Sequence, residues 1–238
     1  QRGMHAGHEH PQFSIHRGRL QKVLFDAVIE RMGPQAVLTG LRLSGFVQDE
    51  GGVTAHFTDS NDGCSSRTLR GEVLICADGI HSVGRRQFFP DEGPPSWPGV
   101  VMWRGAVDWP VWEDGETMVI AGGLAGKLVL YPIAPAKDGM QLMNWVVNVR
   151  VADPAVSTPP PESWSKTAPL ARVLPYAKRF NVPGMDLDAL VRGSGAIFEY
   201  PMADRDPLPR WTHGRVTLLG DAAHPMYPVG SNGSAQAI

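Results

Sequence analysis

The sequence is poor in cysteine, has no long apolar run and carries no excess of one charge. Cys64 and Cys76 are its only cysteines, so the composition predicts neither a disulfide framework nor a cysteine zinc site. No apolar run approaches the ~18–20 residues that span a bilayer. A formal net charge of −2 with no basic run provides no field to attract nucleic acid or an anionic membrane. The polar first residues do not form a secretory signal, so a cytoplasmic location is expected.

The hydrophobic pattern predicts a mixed α/β fold. Apolar residues recur at helical spacing from Arg19 to Met32, and Gly33-Pro34 ends that helix. Strand-like segments follow at 41–48, 53–58 and 68–76. The last of these contains the continuously apolar run Val73–Ala77, which favours a strand buried on both faces.

The region from about 94 to 201 has a different composition, rich in Trp, Pro and short β-prone segments. Four of these segments predict an antiparallel sheet: 100–107, 117–121, 127–133 and 141–151. A Pro-rich loop at 155–161 precedes a predicted helical stretch at 163–190. After about residue 205 the pattern of a buried strand followed by glycine returns. The sequence therefore predicts a nucleotide-binding α/β domain that is interrupted by a β-sheet domain.

The first polar motif, Asp78-Gly-Ile-His-Ser-Val-Gly-Arg85, directly follows a predicted strand. Its acid can accept a hydrogen bond from a hydroxyl, Gly79 permits close backbone approach, and Ser82 and Arg85 can bind phosphate. A strand end with an Asx-turn and a solvated arginine is an equally good interpretation of this motif alone.

A second motif lies near the end of the sequence. The strand Val216–Leu219 leads into Gly220-Asp-Ala-Ala-His-Pro, and Gly230-Ser-Asn-Gly233 then opens a predicted helix. A carboxylate at a strand end and unpaired N–H groups at a helix start suit a polyhydroxylated, anionic cofactor. A Gly-Asp pair at a strand end is often only a turn. The length of this pattern makes chance the poorer explanation.

Three blocks carry a resemblance to a known family: Ser14-Ile-His-Arg-Gly-Arg-Leu-Gln21, Cys76-Ala-Asp-Gly-Ile-His-Ser-Val-Gly-Arg85 and Gly220-Asp-Ala-Ala-His-Pro-Met-Tyr-Pro-Val-Gly-Ser-Asn-Gly233. Together they resemble the FAD-dependent aromatic hydroxylases of the p-hydroxybenzoate hydroxylase type. The segment Tyr200–Trp211 is similar to the phenazine and salicylate hydroxylase branch. The resemblance covers nearly the whole chain.

The resemblance implies a Rossmann-like FAD-binding domain at 1–93 and 202–238, interrupted by an antiparallel β-sheet substrate domain at 94–201. It also implies the hydroxylation of an aromatic or heteroaromatic substrate with NADH or NADPH and O2, through a flavin C4a-hydroperoxide. The cofactor supplies this chemistry, so no catalytic side chain is predicted.

The resemblance assigns cofactor roles to residues in all three blocks. Arg17 would lie near the pyrophosphate and Gln21 near the ribityl chain, and Asp221 would bind the ribityl hydroxyls. Asp78 and Gly79 would serve both FAD and the nicotinamide nucleotide. Pro228 and the backbone of Gly230–Gly233 would lie along the isoalloxazine ring. The complete set of cofactor residues is Arg17, Gln21, Asp78, Gly79, Arg85, Gly220, Asp221, Pro228, Gly230, Ser231, Asn232 and Gly233.

Candidate substrate residues are polar or aromatic side chains of the predicted sheet domain, where the resemblance places the substrate against the flavin. They are Trp103, Arg104, Tyr131, Asn144 and Tyr200. Ordinary packing is the stronger alternative for each aromatic residue, because Trp and Tyr in a sheet are more often part of the core. The histidines predict no metal site.

Two features of the family pattern are missing from this sequence. Family members begin with a strand and a Gly-x-Gly-x-x-Gly turn that holds the ADP moiety, and this sequence has no such motif. The last predicted helix is cut off at Ile238. The chain is therefore expected to be truncated at both ends.

Two alternatives to a hydroxylase remain open. A flavin-dependent dehydrogenase or halogenase could share the fold, although Lys127 and Lys137 do not form a convincing halogenase lysine motif. A non-catalytic fragment of such an enzyme is the other alternative. Flavin content separates the fragment from an enzyme, and oxygen uptake with aromatic compounds separates the hydroxylase from the others.

Overall fold

The computed structural model describes residues 6–11, 13–123, 125–153 and 165–227. These described residues divide into two compact units, one lying within 1–33 and 98–202 and the other within 34–97 and 203–238. Four helices are described: α1 Arg17–Met32, α2 Val83–Phe88, α3 Leu170–Ala177 and α4 Leu187–Arg192. The eleven strands are β1 Leu41–Asp49, β2 Gly52–Asp59, β3 Ser66–Gly71, β4 Leu74–Cys76, β5 Val100–Pro110, β6 Val119–Gly123, β7 Gly126–Pro132, β8 Met140–Arg150, β9 Phe198–Pro201, β10 Thr212–His213 and β11 Val216–Leu218. The predicted mixture of helix and sheet is confirmed.

The first unit is built on an antiparallel five-stranded sheet in the order β6-β7-β8-β5-β9. Side chains alternate between its two faces, and one face carries Trp103, Trp145 and Val147, none of which is exposed. The helices α3 and α4 contribute the equally buried Val173 and Leu190. This helix-packed face supplies the hydrophobic core of the unit.

A buried ion cluster lies within the same unit. Glu199 is 1% exposed and accepts a hydrogen bond from Trp103 Nε1 at 2.8 Å. Its carboxylate also pairs with Lys166 Nζ at 2.9 Å and Arg172 Nη1 at 3.1 Å. Burial alone raises the pKa of Glu199, but the hydrogen bonds from Lys166 and Trp103, with the charges of Arg172 and Lys166, outweigh it and leave the pKa lowered.

The helix α1 also belongs to the first unit. His16 caps its start, because the imidazole Nδ1 accepts a hydrogen bond from the Gly18 N–H. Gly33, at φ 85°, ends it. Among the residues described, α1 has no buried side chain, and its apolar residues Val23 and Leu24 are exposed.

The second unit combines an antiparallel sheet, β1-β2-β3, with a small mixed sheet in the order β10-β11-β4. Two glutamine side chains connect β1 of the first sheet to other elements of this unit. The Gln87 side chain of α2 bonds to both the backbone N–H and the carbonyl of Phe46. The Gln48 amide donates to the His213 carbonyl, and its oxygen accepts from Arg215 N–H. A core cluster of Phe46, Val53, Cys76, Val216, Leu218, Ala222 and Ala223 fills the space between these elements.

The structure corrects three details of the sequence prediction. The segment 68–76 is not one strand, because β3 and β4 belong to different sheets. The run Val73–Ala77 is not buried on both faces: Val73 is 61% exposed and Ile75 58% exposed, since β4 pairs only with β11 among the described strands. The stretch 163–190 contains two short helices in its described part, α3 and the start of α4.

Candidate functional site: a cofactor edge in the second unit

Two motifs that are about 140 residues apart in sequence lie beside each other in the second unit. The strands β4 and β11 pair in parallel, with Leu74 opposite Val216 and Cys76 opposite Leu218. Their carboxyl ends therefore meet at one edge of the sheet, where Asp78-Gly79 follows β4 and Gly220-Asp221 follows β11. We call this edge with its two turns the cofactor edge. In open α/β sheets this edge is the usual place for a nucleotide ligand.

The turn after β4 leaves room for a ligand at its glycine. Gly79 has φ 79°, which favours glycine, and apart from its two chain neighbours no described residue has an atom within 4 Å of the position that a Cβ would occupy. The Asp78 carboxylate is exposed and accepts a hydrogen bond from the Val83 N–H at 2.7 Å. Ser82 caps α2 by accepting from the Arg85 N–H. The Asp78 bond reaches five residues ahead, so it is not the Asx-turn of the alternative interpretation, which closes onto the N–H two residues on.

The turn after β11 places an exposed carboxylate next to two buried alanines. The Leu219 N–H donates to the Cys76 carbonyl, and Gly220, at φ 59°, then begins a short 3-10 turn. Ala222 and Ala223 are buried in the core of the unit, whereas Asp221 is exposed. Within the described part of the chain the Asp221 carboxylate accepts no hydrogen bond. It is thus free to accept bonds from the hydroxyls of a ligand.

The contacts of Arg85 do not support its predicted role as a phosphate ligand. Its side chain is fully buried, and every guanidinium nitrogen donates to an acceptor of the protein. Nε and Nη2 donate to Glu92, Nη2 also to the Asp206 carbonyl at 2.8 Å, and Nη1 to the carbonyls of Ala222 and Ala223 at 3.3 and 3.0 Å. A solvated arginine, the alternative interpretation, is wrong as well. The structure assigns Arg85 to the support of the Gly220–Ala223 turn.

Glu92 joins Arg85 to a second arginine. The Arg205 Nη1 lies 3.0 Å from Glu92 Oε2 and also donates to the Gly93 carbonyl, while its Nε donates to the Ile80 carbonyl at 2.8 Å. Side-chain exposures are 1% for Arg85, 18% for Glu92 and 11% for Arg205. We call these three residues the Glu92 cluster. The hydrogen bond from Arg85 is the largest of the effects that lower the pKa of Glu92.

Sequence reasoning missed Glu92 and Arg205. Arg205 lies in the segment that resembles the phenazine-type branch, which marked the segment but not the residue's contacts. No local pattern marks Glu92, because the seven-residue spacing to Arg85 is not a recognisable motif and its other partner, Arg205, is distant in sequence.

The remaining predicted cofactor residues lie elsewhere or outside the described residues. Arg17 and Gln21 occupy exposed positions of α1, in the first unit, one turn apart on the same side of the helix. Pro228, Gly230, Ser231, Asn232 and Gly233 lie outside the described residues, as does the predicted helix after them.

Four of the five predicted substrate residues share one face of the five-stranded sheet. Tyr131 is opposite Asn144 in the β7–β8 pair, and Tyr200 is opposite Met102, two residues before Arg104. Arg104 donates to the Asn144 Oδ1 at 3.0 Å. We call Arg104, Tyr131, Asn144 and Tyr200 the polar face. Trp103 lies on the opposite, helix-packed face, where it is fully buried against Glu199.

The polar face offers mainly hydrogen-bond donors around Arg104. Because the Asn144 oxygen accepts from Arg104, its Nδ2 points elsewhere, and this buried nitrogen has no hydrogen-bond partner among the described residues. Within the described residues no carboxylate pairs with Arg104. The pair is therefore electrostatically complementary to an anionic or strongly accepting group.

The described residues offer neither a metal site nor a membrane span. No cluster of three or more His, Cys, Asp or Glu could hold a metal ion there. None of the helices described is long and apolar enough to cross a bilayer.

Comparisons with known proteins place the chain in a family. A family model for the FAD binding domain matches residues 6–238. A phenazine 1,6-dicarboxylic acid hydroxylase from Lysobacter antibioticus is 42% identical over 240 residues, which cover 100% of this chain and 58% of that protein. A 3-hydroxybenzoate 6-hydroxylase from Polaromonas naphthalenivorans is 30% identical over 239 residues, covering 96% of this chain and 52% of that protein.

Solved structures agree on the fold. A salicylate hydroxylase substrate complex superposes with a TM-score of 0.65 at 25% identity, covering 90% of this chain and 53% of the other. Klebsiella pneumoniae HpxO, complexed with FAD and uric acid, gives a TM-score of 0.67 at 23% identity and covers 90% and 50%.

The fold matches that of an FAD-complexed structure, and the chain belongs to the FAD-binding domain family. Within that family it is similar to the flavoprotein hydroxylases, including the phenazine hydroxylase. The chain spans about half the length of the curated relatives that it matches, 52–58% for the two named.

Proposed function

We propose that the full-length protein is an FAD-dependent monooxygenase that hydroxylates an aromatic or heteroaromatic substrate, phenazine- or salicylate-like, with NADH or NADPH and O2. The observation that carries the proposal is the shared sheet edge, where Asp78-Gly79 and Gly220-Asp221 meet in a chain that belongs to the FAD-binding family. Similarity to enzymes named as hydroxylases of phenazine and benzoate compounds supports the reaction class.

The residues of the edge fit FAD. The open position at Gly79 admits close approach of a ligand to the backbone, and the exposed Asp221 carboxylate can accept bonds from ribityl hydroxyls. We further propose that Arg17 and Gln21 bind the pyrophosphate and ribityl regions, and that Pro228 and the backbone of Gly230–Gly233 line the flavin ring. Bound FAD would supply the transfer of electrons from the nicotinamide and the activation of O2, which no side chain can provide.

The protein's own part of the reaction is then to bind and orient the substrate and to exclude water. One oxygen atom of O2 enters the ring, and the other leaves as water with the two electrons of NAD(P)H. We propose that the polar face binds the substrate and that Arg104 binds its most anionic group. Trp103 is left out of this proposal because it lies on the other face of the sheet.

The two cysteines are free, Cys64 exposed and Cys76 buried. Burial, with a smaller contribution from the charge of Asp78, raises the pKa of the Cys76 thiol to about 11. Such a thiol stays protonated and unreactive at neutral pH. Two unpaired cysteines fit a reducing compartment, and we propose a cytoplasmic location.

Spectroscopy and product analysis of the full-length protein test the proposal. A bound flavin spectrum is expected, and phenazine carboxylic acids or 3-hydroxybenzoate should stimulate NAD(P)H oxidation, O2 uptake and formation of a product with one oxygen atom from labelled O2. A halogenated product in the presence of chloride or bromide would favour the halogenase alternative. A protein that takes up no FAD would contradict the proposal.

Replacement of Arg104 by glutamine tests the polar face. For an aromatic carboxylic acid, KM should rise by about tenfold or more, because the loss of a charge-assisted hydrogen bond costs roughly 1.5–3 kcal/mol. KM for the matching neutral carboxamide should change much less. Arg150→Gln, at an exposed position at the end of β8, is the matched control. Equal changes for acid and amide would contradict the assignment of Arg104.

A further inference from the structure

The Glu92 cluster connects the two turns of the cofactor edge without occupying the edge itself. One arginine of the cluster reaches each turn: Arg205 holds the Ile80 carbonyl, directly after Asp78-Gly79, and Arg85 holds the carbonyls of Ala222 and Ala223, directly after Asp221. Glu92 is the only acid among the three and bonds to both guanidinium groups.

The charges explain why Glu92 is central. Arg85 is fully buried, and a buried guanidinium is tolerated only when its charge is neutralised and its donors are engaged. Two guanidinium groups this close repel each other unless an acid lies between them. Without the Glu92 carboxylate, Arg85 and Arg205 would separate or turn toward water, and each would release its backbone carbonyl.

We propose that Glu92 is a positioning residue for FAD, which through Arg85 and Arg205 fixes the Asp78–Ile80 segment and the Gly220–Ala223 turn in the spacing that the cofactor requires. The inference rests on the proposed FAD-dependent function. The side-chain bonds described for Glu92 go to Arg85 and Arg205, and none goes to Asp78, Gly79 or Asp221.

The test is FAD affinity in the full-length protein with Glu92→Gln. Glutamine keeps the size of the side chain but loses the charge, and its amide N–H groups face the guanidinium donors. The dissociation constant for FAD, measured by flavin fluorescence in the refolded apoprotein, should rise by about tenfold or more. The visible circular dichroism of bound flavin should change as well, because the cofactor would be held in a different environment.

Two further variants separate positioning from a general loss of stability. Asp49→Asn removes an exposed ion pair of the same unit, with Arg70 at 2.7 Å, and should leave FAD affinity unchanged. Glu92→Asp keeps the charge and should restore part of the affinity. Thermal melting of each apoprotein shows whether the variant is folded before FAD is added.

The outcomes are distinct. A folded Glu92→Gln protein that binds FAD with the wild-type affinity and spectrum overturns the inference. If Glu92→Gln does not fold, Arg205→Gln decides, because it leaves the Arg85–Glu92 pair intact and releases the carbonyls of Ile80 and Gly93. That variant should bind FAD more weakly by several-fold, and wild-type affinity there overturns the inference equally. A wild-type protein that does not bind FAD would overturn the proposed function, and the inference with it.

Discussion

Replacement of Asp221 by alanine is expected to weaken FAD binding by the full-length protein by about one to two orders of magnitude. The side chain is exposed, follows β11 directly, and has no hydrogen-bond partner in the described part of the chain. Its carboxylate is therefore available for ribityl hydroxyls, and each charge-assisted bond lost costs roughly 1.5–3 kcal/mol. Because the neighbouring anchor is made by Ala222 and Ala223, the fold of the turn should survive the substitution.

Titration of the apoprotein with FAD, followed by flavin fluorescence, measures this effect. Asp221→Asn should be intermediate, because an amide oxygen still accepts a hydrogen bond but carries no charge. Glu72→Ala, at an exposed position of the same unit, is the control and should leave the dissociation constant unchanged. Unaltered FAD affinity in Asp221→Ala would mean that the cofactor does not use this edge of the sheet.

The local pattern of the sequence predicts much of the fold. Helical spacing correctly indicates α1, and the β-prone segments of the middle region correspond to β5–β8. These predictions succeed because they depend on hydrophobic periodicity within one element. The prediction of a single strand at 68–76 is wrong because a short break at Glu72 separates two strands that pair in different sheets. That pairing depends on tertiary contacts, which local composition does not reveal.

For the candidate site, too, the sequence predicts the local motifs but not the long-range contacts. The motifs after β4 and β11 are visible in the sequence, but their meeting depends on a parallel pairing across about 140 residues. The burial of Arg85 depends on acceptors at 92, 206, 222 and 223. From the sequence alone, an arginine shortly after Asp-Gly suggests a phosphate ligand. Only the folded structure shows that its donors are already bound to acceptors of the protein. Long-range packing therefore decides whether an arginine binds a ligand or supports the backbone.

One error could have been avoided with the sequence alone. Trp103 and Arg104 are adjacent in a predicted strand, so their side chains must point to opposite faces of the sheet. Both could not line the same surface. The structure places Trp103 with Trp145 in the core and Arg104 with Asn144 on the polar face. Period-two alternation thus separates the packing tryptophan from the candidate ligand residue.

The same core contains Glu199, whose replacement is expected to cause a large loss of stability. Replacement of Glu199 by alanine should lower the free energy of unfolding by about 3 kcal/mol, because it leaves the buried Trp103 N–H unpaired and removes the counter-charge of two cations. The side chains of Lys166 and Arg172 are 35% and 47% exposed, so water can solvate them and limits the loss. Denaturant unfolding followed by far-UV circular dichroism measures it.

Asp188 offers a matched control in the same unit. It also pairs with two cations, Lys178 and Arg192, but its side chain is 36% exposed. Asp188→Asn should therefore cost only about 0.5 kcal/mol. Similar losses for Glu199→Ala and Asp188→Asn would mean that burial does not determine how much Glu199 and its ion pairs stabilise the fold.

The pH dependence gives the Glu199 assignment an independent check. Since the pKa of Glu199 is lowered in the folded protein from the ordinary value of 4.5, its ionised form stabilises the fold above that pH. This contribution is lost as the pH falls through the folded pKa. Glu199→Gln cannot titrate, so the difference in stability between wild type and Glu199→Gln should be constant from neutral pH down to about 5 and should shrink below the unfolded pKa. Because other acids titrate equally in both proteins, a difference that stays constant in acid would show that Glu199 is not the group responsible.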